Sequence, residues 1–315
     1  MVRLAHHEGH SDAITAVAFS PNGQMLASGG LDGRLCVWTV SDGVLRYVFS
    51  GKSAVLSLLW LGGGRSIGEM ACGLENGTIV LLQIQTTSIK VEGFWAHRYP
   101  VERLAFEDNR LASGAHKEVK VWTRARNITQ LICFVTGSWR HTATLETPPS
   151  SAYTTSHRVI VTSLHWTHDA KRRSVLLVTY MSHGVVAFDT RGWTRVGSTP
   201  LPGCIANAHL NVHGDLLAVS NLLTGFEFFS MPKPGEVRPL FSVRQDASSG
   251  RCIPVQFVHG GGAILGGAFK GKVCIWDIHS RLKQPLAFQG QSIPFLSNMQ
   301  PAHFLSNRQC FSPGH

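Results

Sequence analysis

Residues 9–39 read GHSDAITAVAFSPNGQMLASGGLDGRLCVWT, and the punctuation of this stretch decides the fold. Apolar residues recur at Ile14, Val17 and Phe19 before the turn Ser20-Pro21-Asn22-Gly23. Met25-Leu26-Ala27 make a second short run that stops at Ser28-Gly29. Asp32-Gly33 supply the next turn, and Leu35, Val37 and Trp38 close the unit. Three short runs at even spacing, each cut off by Gly with Pro, Asn or Asp, predict an antiparallel meander. A sheet this small cannot bury both of its apolar faces alone, so it must stack on further copies of itself.

Copies follow along the chain. The second has strand patterns at 54–60, 68–72 and 78–84, and the third, opening on Ala96-His97, at 101–106, 110–113 and 119–122. The fourth, fifth and sixth are read at 159–189, 204–230 and 252–278. The third-strand anchors are Trp38, Leu82, Trp122, Phe188, Phe229 and Trp276, spaced 40 to 47 residues apart except for one step of 66. That long step holds residues 136–158, rich in Ser and Thr with Pro148-Pro149 in the middle, which read as a surface loop inserted between two units. No helical period is present.

Gly-His near the start, Ser closing the second strand, Asp in the next turn and Trp in the third strand resemble the WD-repeat β-propeller family (transducin β-like). The first repeat matches strongly, through His10, Ser28, Asp32 and Trp38, and the later ones are degenerate. The resemblance implies a buried hydrogen-bonded relay among those four side chains. In the third copy it implies only His97, Ser113 and Trp122, because the turn Gly114-Ala115-His116-Lys117 lacks an Asp. It also implies a fourth, outermost strand after each anchor, here at 45–49, 89–94, 128–134, 194–198, 238–243 and 285–288. The expected fold is therefore all-β: a propeller of six readable four-stranded blades over 1–288, followed by 289–315 as a tail or an incomplete last blade. Residues 2–6 resemble a strand that closes the last blade, which leaves open a seven-bladed ring cut short.

Composition narrows the function. Of 315 residues 43% are hydrophobic and 15% charged, enough apolar material for a sizeable core and too little charge for a disordered chain. The N-terminus lacks the apolar segment of a secretory signal, and no apolar window is long enough for a membrane span. Seven cysteines without a CxxC pair read as core thiols, so the expected location is intracellular, cytoplasmic or nuclear.

Three patterns suggest chemistry, and each has a structural reading that outweighs it. His10, Ser28 and Asp32 have the residue types of a hydrolase triad, but that Ser must stand exposed beside an oxyanion hole. The letters Gly266 to Lys272 fit a phosphate loop, yet Val273-Cys274-Ile275-Trp276 continue as a strand where a helix is needed. The clusters His6-His7-Glu8 with His10, and His165-Trp166-Thr167-His168-Asp169, do not converge as metal ligands must, since His10 is claimed by the relay and His165 and His168 fall on opposite faces of a strand. No catalytic residue, metal, cofactor or small-molecule substrate is expected.

The remaining reading is a non-catalytic protein-interaction scaffold, a subunit or adaptor of an intracellular complex. On the face carrying the relay turns, the candidate contact residues are Asp12, Leu31, Trp95, Arg98, Tyr99, His116, Lys117, Phe269 and Lys270. Aromatic and Arg side chains are the usual anchors of interfaces. The net charge of +10 supports an alternative, a basic propeller that binds RNA, DNA or an acidic tail. The opposite face would then carry a basic patch of Arg110, Arg124, Arg126, Lys171, Arg172, Arg173 and Arg191.

Overall fold

A computed structural model describes residues 9–62, 68–85, 88–124, 139–150, 158–244, 253–267 and 273–286. Blade one is β1 (Ile14–Phe19), β2 (Met25–Gly30), β3 (Arg34–Thr39) and β4 (Leu45–Ser50). Blade two is β5 (Val55–Gly62), β6 (Gly68–Leu74), β7 (Thr78–Ile84) and β8 (Ile89–Trp95). Blade three is β9 (Arg103–Glu107), β10 (Arg110–Ala115), β11 (Glu118–Arg124) and β12 (Trp139–Thr144). Blade four is β13 (Val161–His168), β14 (Ser174–Tyr180), β15 (Gly184–Asp189) and β16 (Arg195–Thr199). Blade five is β17 (Ile205–Leu210), β18 (Leu216–Asn221), β19 (Gly225–Lys233) and β20 (Glu236–Val243). Blade six is β21 (Val255–Val258), β22 (Ala263–Gly267), β23 (Val273–Asp277) and β24 (Lys283–Leu286).

Each blade is a separate four-stranded antiparallel meander, so the described residues form an all-β propeller of six blades. The periodicity extends to irregularities. A bulge follows the first residue of β1, β5, β13 and β17, and another lies in the outer strand beside the anchor, where Arg46 of β4, Thr142 of β12, Val196 of β16 and Leu240 of β20 are the extra residues. Bulges raise the local twist at fixed positions, as strongly twisted blades require.

The core lies between blades. Trp60, Met70 and Leu82 of blade two pack against Ala27, Leu35 and Val37 of blade one. The same arrangement joins each later blade to the one before it. Full burial of one such side chain contributes about 1.5–3 kcal/mol, so the stacking supplies the stability that a lone blade lacks. Ile14, Val17 and Phe19 are 56%, 62% and 63% exposed, and among the described residues no core cluster joins blade six to blade one. The closing strand read at 2–6 and the tail at 289–315 lie outside the described residues.

One sequence assignment is corrected. The outer strand of blade three is Trp139–Thr144, inside the stretch read as an inserted loop, and it pairs with β11 from Lys120↔Thr144 to Arg124↔Trp139. Leu145 and Pro148 beyond it are buried, and Leu145 joins the core between blades three and four. An outermost strand is wetted on both faces, so it needs no apolar alternation, and its threonines suit a pleated sheet as well as a loop. The stretch read as that strand, 128–134, lies outside the described residues.

Candidate functional site

The relay in blade one forms. His10 Nδ1 donates to Asp32 Oδ1 at 3.1 Å, and Ser28 Oγ lies 2.9 Å from His10 Nε2. Trp38 Nε1 donates to the same Ser28 Oγ at 2.9 Å. Asp32 also accepts backbone N–H bonds from Ser11 at 2.8 Å and Arg34 at 3.0 Å. Burial opposes its ionisation, but the bonds from Arg34, Ser11 and His10 outweigh that and hold the carboxyl below its usual range. A Cβ on Gly30 would sit 2.6 Å from His10 Nδ1 and 2.7 Å from Asp32 Oδ1, so only Gly fits beside the pair. Ser28 is 3% exposed and its hydroxyl is held between His10 and Trp38. Triad residue types are present, but the would-be nucleophile is closed to a substrate.

Blade three builds the same device with an acid the sequence reading missed. His97 Nε2 meets Ser113 Oγ at 2.8 Å, Trp122 Nε1 donates to Ser113 Oγ at 2.8 Å, and His97 Nδ1 lies 3.0 Å from Glu118 Oε2. Glu118 sits at the start of β11 instead of in the turn, and its extra methylene covers the difference. An acid just past the turn was the available signal. His97 is 0% exposed; burial pushes its pKa down to about 4 despite the hydrogen bond to Glu118.

Chain topology separates the loops into two faces. Turns between second and third strands, and the loops leading into each blade, lie at one end, where the structure groups five predicted contact residues. Trp95 is 60% exposed with Lys120 Nζ 5.7 Å from its ring centre. Tyr99 stacks on His116 with ring centres 4.8 Å apart, and Arg98 and Lys117 are exposed beside them. Asp12 and Leu31 belong to the leading loop and relay turn of blade one, where Asp12 Oδ1 accepts the Ala13 N–H. Phe269 and Lys270 lie outside the described residues.

On the opposite face the basic patch is redrawn. Arg110 pairs with Glu107 at 3.1 Å, donates to Ser174 Oγ at 2.8 Å and lies over the Trp166 ring at 5.1 Å. Arg124 pairs with Glu69 and lies over Trp139. These two are clips from blade three to its neighbours, not open cations. Arg126 lies outside the described residues. Arg173 is bonded to Asp169, whereas Lys171, Arg172 and Arg191 are exposed with no ion pair among the described residues. Lys233 of blade five, absent from the sequence reading, is exposed on the same face.

Among the described residues no group of three or more His, Cys, Asp or Glu could hold a metal ion. His165 Nε2 instead meets the Ala208 carbonyl at 2.9 Å, and His168 lies 3.5 Å from Glu107. No helix among the described residues is long and apolar enough to cross a membrane.

Comparison with known proteins follows the same lines. Residues 1–39 match the family model "WD domain, G-beta repeat". The chain is similar to "Small ribosomal subunit protein RACK1" of Schizosaccharomyces pombe, 35% identical over 54 residues, 17% of either chain. It is also similar to the RACK1y protein of Oryza sativa subsp. japonica, 39% identical over 51 residues (16% of this chain, 15% of the relative), and to RACK1 of Brassica napus, 32% identical over 78 residues (23% and 24%). The matched stretches thus span about a quarter or less of the curated relatives. The Cps50 (Swd1) β-propeller domain of Myceliophteria thermophila superposes with a TM-score of 0.67 at 17% identity, over 88% of this chain and 87% of that one. At that identity the likeness concerns the fold alone.

Proposed function

We propose that this β-propeller chain, whose residues 1–39 match the WD-domain family model, is a non-catalytic scaffold holding protein partners on its loop faces. The observation that carries the reading is the group around Trp95. A large aromatic side chain stands 60% exposed beside Lys120, next to the Tyr99–His116 stack. Exposed aromatics with adjacent Arg and Lys are the side chains that anchor interfaces. Their loops leave β8, paired along its length with β7, and β10, paired on both sides, so binding orders little new structure. The two hydroxyls nearest to catalytic geometry, on Ser28 and Ser113, are buried in relays that stabilise blades. The curated relatives are named as small ribosomal subunit proteins, and we carry over from them membership in a larger intracellular assembly, cytoplasmic or nuclear.

Affinity purification of the tagged chain beside the double variant W95A/Y99A tests the reading. The expected result is a partner set held by the wild-type chain and lost by the variant, with equal melting temperatures. Retention of the whole set by the variant would overturn the placement. The net charge of +10 favours a second reading, a basic propeller bound to RNA or DNA within such an assembly. Loss of the partners on nuclease treatment, with no effect of W95A/Y99A, would select it.

A further inference from the structure

On the face opposite Trp95, four turns of blades four and five surround a cleft of about 570 Å³. They are the β13–β14 and β15–β16 turns of blade four and the β17–β18 and β19–β20 turns of blade five. Val175 and Met231 are buried at its apolar part, and Val196, 54% exposed, and Pro232 and Pro234 join them.

The charges lining the cleft are unevenly engaged. Asp169 accepts N–H bonds from Lys171 and Arg173 and a side-chain bond from Arg173 Nε at 2.6 Å, which hold its carboxyl down at about 2. Asp189 accepts the Gly192 and Thr194 N–H groups, and Asp215 accepts Asn211 Nδ2 at 2.7 Å. The three carboxylates are thus occupied in shaping their own turns. Lys171, Arg191 and Lys233 are exposed and have no ion pair among the described residues. The surplus is positive and points outward round an apolar interior.

We infer that this cleft is a docking site for an extended acidic peptide segment of a partner, whose carboxylates meet Lys171, Arg191 and Lys233 and whose apolar side chain enters beside Val175, Val196 and Met231. A nucleic acid fits less well. Its bases need broad aromatic platforms to stack on, and the lining holds no Phe, Tyr or Trp, only the smaller rings of His168 and His213, while its apolar part suits an aliphatic side chain. The site is separate from the Trp95 group and stands or falls independently of it.

Fluorescence polarisation of a labelled peptide in which glutamates flank a central Leu-Val-Leu tests the inference, with an oligouridylate of equal charge as competitor. Each exposed pair contributes modestly, so binding is expected to be salt-sensitive, and K171E/R191E/K233E to weaken it roughly tenfold or more at unchanged melting temperature. W95A/Y99A is expected to bind the peptide like the wild-type chain. Replacing the central apolar residues by Ser is expected to weaken binding further. The inference is overturned by absence of peptide binding, by equal binding to the charge-reversed variant, or by tighter binding of the oligouridylate.

Discussion

Replacing Asp32 by Ala removes the acceptor for four donors at once: His10 Nδ1, the Ser11 N–H and hydroxyl, and the Arg34 N–H. Ser11 is exposed, so water takes over its bonds. The side chains of His10 and Asp32 are each only 5% exposed, and the Arg34 N–H is part-buried, so those two donors are stranded. Leaving a buried donor unmade costs about 1–3 kcal/mol, and two of them, with one partly rehydrated, give about 2–4 kcal/mol. At roughly 2–4 °C per kcal/mol for a large single domain, the melting temperature should fall by about 4–16 °C. Asp215→Ala is the control. Asp215 is exposed and accepts one side-chain bond, from Asn211, whose own carbonyl keeps the Asp215 and Leu216 N–H groups, so a change under about 1 kcal/mol is expected. Paired thermal melts at neutral pH decide the matter. Equal shifts for the two variants would refute the relay as a stabilising network. The Asp32 contribution should also persist at any pH above its unfolded value of 3.8 and disappear as pH falls through its lower folded value.

Glu118→Ala should destabilise blade three by about 1–3 kcal/mol, and Glu118→Gln by less, since a carbonyl still accepts from His97; identical melts for both variants and wild type would show that Glu118 does not complete the relay. Burial keeps His97, His165 and His209 neutral in the fold down to about pH 4, while the unfolded chain takes up protons from about 6.5. The unfolded state binds more protons in that window, so stability should fall as pH drops from about 6.5 to 4, by up to about 1.4 kcal/mol per unit for each such group; denaturant melts showing a flat profile there would contradict it. Leu145→Ala should cost about 2–4 kcal/mol because the residue is 6% exposed in a core cluster, and a neutral result would restore the loop reading of this stretch. Phe19→Ser should cost under about 1 kcal/mol because the ring is 63% exposed; a loss of several kcal/mol would show that something covers it.

Much of the fold is legible because blade period, turn residues and apolar alternation come from the same requirement, a stack of small sheets with wet ends. Trp38, Trp122 and Trp276 mark third strands directly, and Phe188 and Phe229 hold the same position by size and burial. The outer strand of blade three escaped because a strand with little core contact carries no apolar period. Glu118 escaped because a longer acid reaches the histidine from a different backbone position, which a residue-by-residue pattern does not allow for. In the basic patch, Glu107 beside Arg110 is visible in sequence, but the Glu69 partner of Arg124 and the Trp166 ring over Arg110 come from neighbouring blades and are assembled only by blade packing. Lys233 was invisible for the converse reason, since nothing local to Met231-Pro232-Lys233-Pro234 tells that it faces Lys171 and Arg191 across a cleft.

Partner binding to the face carrying Trp95 is open to photo-crosslinking in cells. A photoreactive amino acid would replace Lys117 beside the Tyr99–His116 stack, and in a second variant Val91, exposed on the outer strand β8. Discrete protein adducts are expected from position 117, lost when W95A/Y99A is added, and none of comparable yield from position 91. Adducts from position 91 alone, or adducts from 117 that persist in the W95A/Y99A background, would contradict it.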